Sequence, residues 1–102
     1  MRIKWLSKKA DKMFEKHGWK KIKESRYIAQ YRYHCKTHKY NVILELSHNS
    51  KHPNLITCYQ EDINMECYNN AVGIPNDILL VIILKLFSIG FLFDNKSKIP
   101  WD

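Results

Sequence analysis

The chain has 102 residues, 45% of them hydrophobic and 26% charged, with a formal net charge of +7. That size suits one domain with one modest core, and that balance excludes a disordered polyelectrolyte. Three glycines leave no material for a glycine-rich phosphate loop, and three cysteines make an odd count without framework spacing.

The charge is segregated. Residues 1–39 carry thirteen of the seventeen lysines and arginines and only three acids, Asp11, Glu15 and Glu24. A chain polarised in this way suits a polyanionic partner for its N-terminal half. The plainer alternative is that the lysines solvate an exposed helix and hairpin. Arg2 and Lys4 are followed by no apolar run before Lys8 and Lys9, so no secretory leader is predicted. Reduced thiols in a cytoplasm are then expected.

In chain order, residues 4–17 read as a helix. Leu6, Ala10, Met13, Phe14 and His17 recur at helical spacing, with Lys8, Lys9, Asp11, Lys12, Glu15 and Lys16 opposite. Gly18 stands where a left-handed cap ends a helix, and Ser7 offers a cap for a slightly later start. His17 is expected to be a half-buried or capping histidine. Alternation then takes over, predicting strands over 19–25, 27–35, 40–46 and 54–60. Tyr27, Ala29, Tyr31, Tyr33 and Cys35 share one face, as do Tyr40, Val42, Leu44 and Leu46. Residues 65–73 suggest turns. Pro75 suits the first position of a helix, which runs to Ser88 or Ile89 and ends at Gly90.

The order is α-β-β-β-β-α. It predicts an α+β fold, a four-stranded antiparallel sheet flanked by an N-terminal and a C-terminal helix. Residues 1–93 form the domain, and 94–102 a polar tail.

The last helix is apolar on every side. Ile78 to Leu84 runs unbroken, and Leu86, Phe87 and Ile89 follow Lys85. It is shorter than a bilayer span and interrupted by a lysine, so no membrane partner is predicted. Lys85 and Ser88 are expected to mark a strip facing water while the opposite side packs on the sheet. Between them, Ile78, Val81, Ile82, Ile83, Leu86 and Phe87 are candidates for contact with a second copy or another protein.

These features resemble a class of small phage and prophage accessory proteins of low-GC Gram-positive bacteria. Ala10 and Met13-Phe14-Glu15-Lys16-His17-Gly18-Trp19, the tyrosine-rich strands, and Gly90-Phe91 carry the likeness, over roughly residues 10–91. In that class an N-terminal helix ends in a Phe-Glu-x-x-Gly-aromatic turn, a four-stranded meander follows, and the last helix ends in Leu-Gly-aromatic. The class includes inhibitors of host defence, anti-CRISPR proteins among them, which implies a host protein or nucleoprotein target in the bacterial cytoplasm. This chain departs from the class in its almost wholly apolar last helix and its longer tail.

For nucleic acid or nucleoprotein, the candidate binding residues are Lys8, Lys9, Lys12, Lys16, Lys20, Lys21, Lys23, Arg26 and Arg32. Cations interleaved with Tyr27, Tyr31, Tyr33, Tyr40 and Tyr59 are what phosphate attraction and base stacking require. Most of the tyrosines share a face with Val42, Leu44 and Leu46, which favours the core for them. No RNP or KH fingerprint accompanies them.

An enzyme is not predicted: Cys35 and His34 point to opposite faces of a strand, and no paired carboxylates or nucleophile-base spacing occurs. No cofactor is predicted. His34, Cys35, His38, Cys58 and Cys67 leave a zinc-stabilised RNA-binding module as an alternative, although the close ligand pairs usual for zinc are lacking. His48 and His52 fall in a polar loop and are assigned no role. The expected function is that of a non-enzymatic accessory protein, which blocks a host nucleoprotein or nucleic acid. A homo-oligomer pairing through the last helix is the other expectation.

Overall fold

The computed structural model describes residues 2–36, 40–48, 54–62 and 69–92. The elements are α1 (Lys4–Lys16), β1 (Trp19–Glu24), β2 (Ile28–Cys35), β3 (Tyr40–Ser47), β4 (Leu55–Asp62), β5 (Asn69–Ala71), a single 3-10 turn (Asn76–Ile78) and α2 (Leu79–Ile89). Four long strands make the antiparallel sheet that the element order predicts, connected as a meander. The three-residue β5, not foreseen, pairs with β4 and extends the sheet in the order β1-β2-β3-β4-β5. Pro75 precedes the 3-10 turn rather than opening the α-helix itself. The predicted tail 94–102 lies outside the described residues.

Both helices lie on one face of the sheet. Their shared core joins Ala10 and Phe14 of α1 to Val81, Ile82, Leu86 and Ile89 of α2, over Trp19, Ala29, Tyr31, Leu44, Leu46 and Cys58. Each large aliphatic side chain buried there contributes about 1.5–3 kcal/mol. The helices run antiparallel: Ile3 N–H donates to the Ser88 carbonyl at one end (2.7 Å), and His17 Nδ1 lies 3.3 Å from Asp77 Oδ2 at the other. Gly18 and Gly90, both left-handed, end the two helices where the sequence places their caps. After α2, Phe91 N–H returns to the Leu86 carbonyl and Gly90 N–H to that of Phe87, a Schellman pattern.

α1 is fastened to β2 through one tyrosine. Phe14 stacks on Tyr31 with ring centroids 3.9 Å apart, and the Tyr31 hydroxyl donates to Asp11 Oδ1 at 2.5 Å. Asp11 and Phe14 are three residues apart, on one side of the helix, so one ring engages both. Burial, the bond to Asp11 and the charges of Asp11 and Glu24 all push the Tyr31 hydroxyl above its ordinary range.

Lys85 overturns the expectation of a water-facing strip. Its side chain is 0% exposed, as is Ser88. Three oxygens surround the ammonium: Ser7 Oγ at 2.7 Å, Glu24 Oε1 at 2.7 Å and Asp11 Oδ1 at 2.9 Å. The ammonium donates hydrogen bonds to Ser7 and Glu24 and is ion-paired with both carboxylates, so the buried charge meets opposite charge on two sides. Ser7 is therefore no helix cap; α1 begins at Ile3 without a side-chain cap. Ser88 Oγ donates to the Lys85 carbonyl at 2.8 Å.

A bulge in β1 supplies the second carboxylate. Lys21 pairs with Tyr31, but Lys23 pairs with Gln30 and Glu24 with Ala29, so the register shifts between Lys21 and Lys23. Strict alternation would send Lys21 and Glu24, three apart, to opposite faces. The extra residue brings both to the helix side. There Lys21 Nζ reaches Asp11 (2.9 Å) and Glu24 (3.2 Å), and Arg2 reaches Glu24 at 2.8 Å.

Burial alone would raise the Glu24 carboxyl. The hydrogen bonds from Lys85 and Arg2, the charge of Lys85 and the bond from Lys21 outweigh it, and hold the group down to about 2 from 4.5. For Lys21, partial burial pulls downward, but Asp11 and Glu24 prevail and raise it.

Two outcomes follow from the cluster. Lys85→Met strands two carboxylates beside apolar packing and is expected to cost on the order of 3 kcal/mol in urea unfolding; a cost below about 1 kcal/mol would show the cluster contributes little. A carboxylate depressed in the folded state contributes its stability above the unfolded value. The Glu24 share is thus complete above pH 4.5 and is lost as pH falls toward 2. Glu24→Gln is expected to flatten stability against pH across that window, measured by denaturant unfolding at each pH.

Candidate functional site

The nine predicted basic residues do not form one face. Helical spacing puts Trp5, Lys9, Lys12 and Lys16 in one row, directly opposite the buried row of Ser7, Ala10 and Phe14. All four are exposed, Trp5 at 69%. Lys8 sits to one side, where Arg2, Lys4, Ser7, Lys8, Asp11, Lys21 and Glu24 line a groove between α1 and β1. Lys21, at the back of that groove, is committed to Asp11 and Glu24.

Lys20 and Lys23 are on the other side of the molecule. They pair across the strand with Arg32 and Gln30, and so belong to the sheet face that no helix covers. Arg32 Nε lies 3.4 Å from Glu61 Oε1 on that face, and Gln30 donates to Glu45 at 2.6 Å. Its acids answer its cations. Arg26 lies in the turn between β1 and β2. The thickness of the sheet divides what the sequence suggested as a continuous patch. The outward row on α1 is its undivided part.

The predicted apolar patch is also redrawn. Ile78, Val81, Ile82 and Leu86 are buried in the core and face no partner. Ile83 and Phe87 remain outside, joined by Leu79 and Leu80, with exposures between 44% and 63%. Around the helix, Lys85 falls at the middle of the buried arc, flanked by Val81, Ile82, Ser88 and Ile89. Both polar residues of α2 therefore point inward, and its outer face carries only apolar side chains. Leu79 and Leu80 escape prediction from the sequence because Lys85 and Ser88 suggest the wet side of the helix.

The tyrosines divide. Tyr31 is in the core, Tyr33 is partly exposed, Tyr59 is on the open sheet face opposite Ile43, and Tyr27 is exposed in the turn before β2 rather than on the core face. The His34 ring is bonded to Asn41 Oδ1 (2.8 Å) on the open face, while Cys35 lies on the helix side of the same strand. Burial raises the Cys58 thiol. Among the described residues, no group of three or more His, Cys, Asp or Glu could hold a metal ion. His38, His52 and Cys67 lie outside the described residues. No helix among the described residues is long and apolar enough to cross a membrane.

The new assignment separates neighbours on α2. Leu86→Ala is expected to cost about 2–5 kcal/mol, and Phe87→Ser to change stability by less than about 0.5 kcal/mol, both by thermal or urea unfolding. Equal losses would put Phe87 back in the core. Comparison with protein-family models, curated proteins and solved structures finds no match to this chain.

Proposed function

We propose that this chain is a non-enzymatic binding protein that occupies a surface of a polyanionic partner, of the kind a nucleoprotein presents. The observation that carries the reading is the inverted polarity of α2, which buries Lys85 and Ser88 and presents Leu79, Leu80, Ile83 and Phe87 to solvent. A contiguous apolar helix face on a small domain marks a contact surface. Beside it, in the same helical layer, Lys9, Lys12 and Lys16 face outward from α1. Those charges speed and orient encounter with a negatively charged partner, and the apolar row supplies the slow dissociation. Inhibition of a host defence assembly is the narrower form of this proposal, and it rests on the sequence resemblance.

The outer face of α2 carries no charge to repel a second copy, which supports pairing of two α2 helices as the second reading. Ile83→Glu and Phe87→Glu separate the readings without touching the core. Sedimentation that shows a salt-insensitive dimer, lost in both variants, supports self-pairing. A monomer whose affinity for polynucleotide falls with salt supports the first. Lys9→Glu with Lys12→Glu and Lys16→Glu is then expected to reduce the slope of log affinity against log salt by about 2–3. If neither kind of variant alters association of any sort, both readings fail.

A further inference from the structure

At the end of the helical layer where α1 stops and α2 begins, the sheet is left uncovered and a crevice of about 400 Å³ opens. That volume falls within the ~300–1,000 Å³ usual for ligand sites. Tyr33, Tyr40 and Val42 form its sheet side, Val72 and Pro75 stand opposite, and the His17–Asp77 pair lies at its edge.

Tyr33 is 39% exposed, yet its ring is held on two sides. Trp19 packs against it with centroids 5.4 Å apart. On another side lies Gly18, where a Cβ would come within 2.8 Å of the Tyr33 ring. The bare glycine thus serves the tyrosine as well as the turn. A ring fixed before its ligand arrives loses little freedom on binding.

We infer that this crevice takes a nucleobase of single-stranded nucleic acid, stacked on Tyr33 and Tyr40, while neighbouring lysines hold the phosphates. The inference rests on the polyanion reading above and gives it a substrate class. Charge decides against the rival, an alkylammonium or arginine side chain in an aromatic cage. Among the described lining residues Asp77 is the only carboxylate, and His17 already engages it. Exposed Lys16 and Lys36 directly adjoin the lining residues His17 and Cys35 in the chain. A cation would meet repulsion there and a phosphate would meet attraction. The outward lysine row of α1 spans about 10 Å from Lys9 to Lys16, and it ends beside His17 at the crevice. A duplex keeps its bases stacked and out of such a slot, whereas a single strand can splay one into it.

The test compares a single-stranded oligonucleotide with an abasic strand of equal length, by fluorescence anisotropy at low salt. The base-bearing strand is expected to bind about tenfold more tightly. Tyr40→Ala should reduce it to the abasic level and leave abasic binding unchanged. Gly73→Phe should do the same by filling the crevice; nothing lies within 4 Å of a Cβ at Gly73, so the fold can accept it. Equal affinity for the two strands overturns the crevice inference and leaves the polyanion reading standing. Binding of neither strand overturns both. Binding of a trimethyl-lysine peptide that Gly73→Phe abolishes, with no base-dependent affinity, assigns the crevice to the rival and overturns the inference.

Discussion

The ion cluster around Lys85 is the constraint on which the rest of the structure depends. It joins three elements: Ser7 and Asp11 from α1, Lys21 and Glu24 from β1, and Lys85 from α2. Taking an ammonium out of water costs several kcal/mol, and only close oxygens offset that cost. Each element therefore has one acceptable position relative to the other two. A slide of α2 by one turn, about 5.4 Å, would leave Lys85 among Ala10, Phe14 and the apolar strand residues with its partners out of reach. Apolar packing alone is tolerant of such slides, because leucine and isoleucine exchange places at modest cost. The cluster removes the tolerance.

The same constraint shapes the outer surface of the helical layer. Helix α2 has two polar residues after Ile78, and both are spent inside. What remains for the outer face is leucine, isoleucine and phenylalanine. A helix with Lys85 outside would have been an ordinary amphipathic helix, with its apolar side on the sheet and a charge in water. Turning the lysine inward fixes the helix layer and at the same moment exposes the apolar row. Structural specificity in the core and exposed hydrophobicity at the surface have one cause here.

The elements were legible in the sequence because each was locally consistent. The spacing of Leu6, Ala10, Met13 and Phe14 marked α1, and the alternation around Tyr31 and Leu44 marked β2 and β3 and their inward faces. Gly18 and Gly90 marked the helix ends because only a left-handed residue suits those turns. The short β5 follows residues with weak strand patterning, and three backbone positions beside β4 are too few to impress a period on the chain. The candidate site was much less legible. Its wet and dry sides depend on the bulge at Lys21 to Lys23, which breaks the alternation that would place Glu24 on the open face. A bulge adds one residue without a sequence period of its own, so the carboxylate facing Lys85 could not be read from spacing. With the carboxylate hidden, a lone lysine in an apolar run reads as the exposed side, and the side of the helix expected to face water is instead the buried one.

The two sheet sides then divide the charge in a way that net charge conceals. On the open face, Arg32 lies against Glu61, Gln30 is bonded to Glu45, and Asn41 donates to Glu61 at 3.3 Å. Those contacts leave Lys20 and Lys23 beside a mixed surface. On the helical side, the acids Asp11 and Glu24 are drawn beneath the helices toward Lys85, Lys21 and Arg2. Their withdrawal leaves the outward row of Lys9, Lys12 and Lys16 without a carboxylate among its members. The buried cluster therefore acts on the surface twice, by turning the apolar row of α2 outward and by engaging two of the three N-terminal acids, which leaves exposed Glu15 as the carboxylate beside the α1 lysines. The exposed lysines of α1 and the exposed apolar row of α2 thus fall together on the helical side of the molecule.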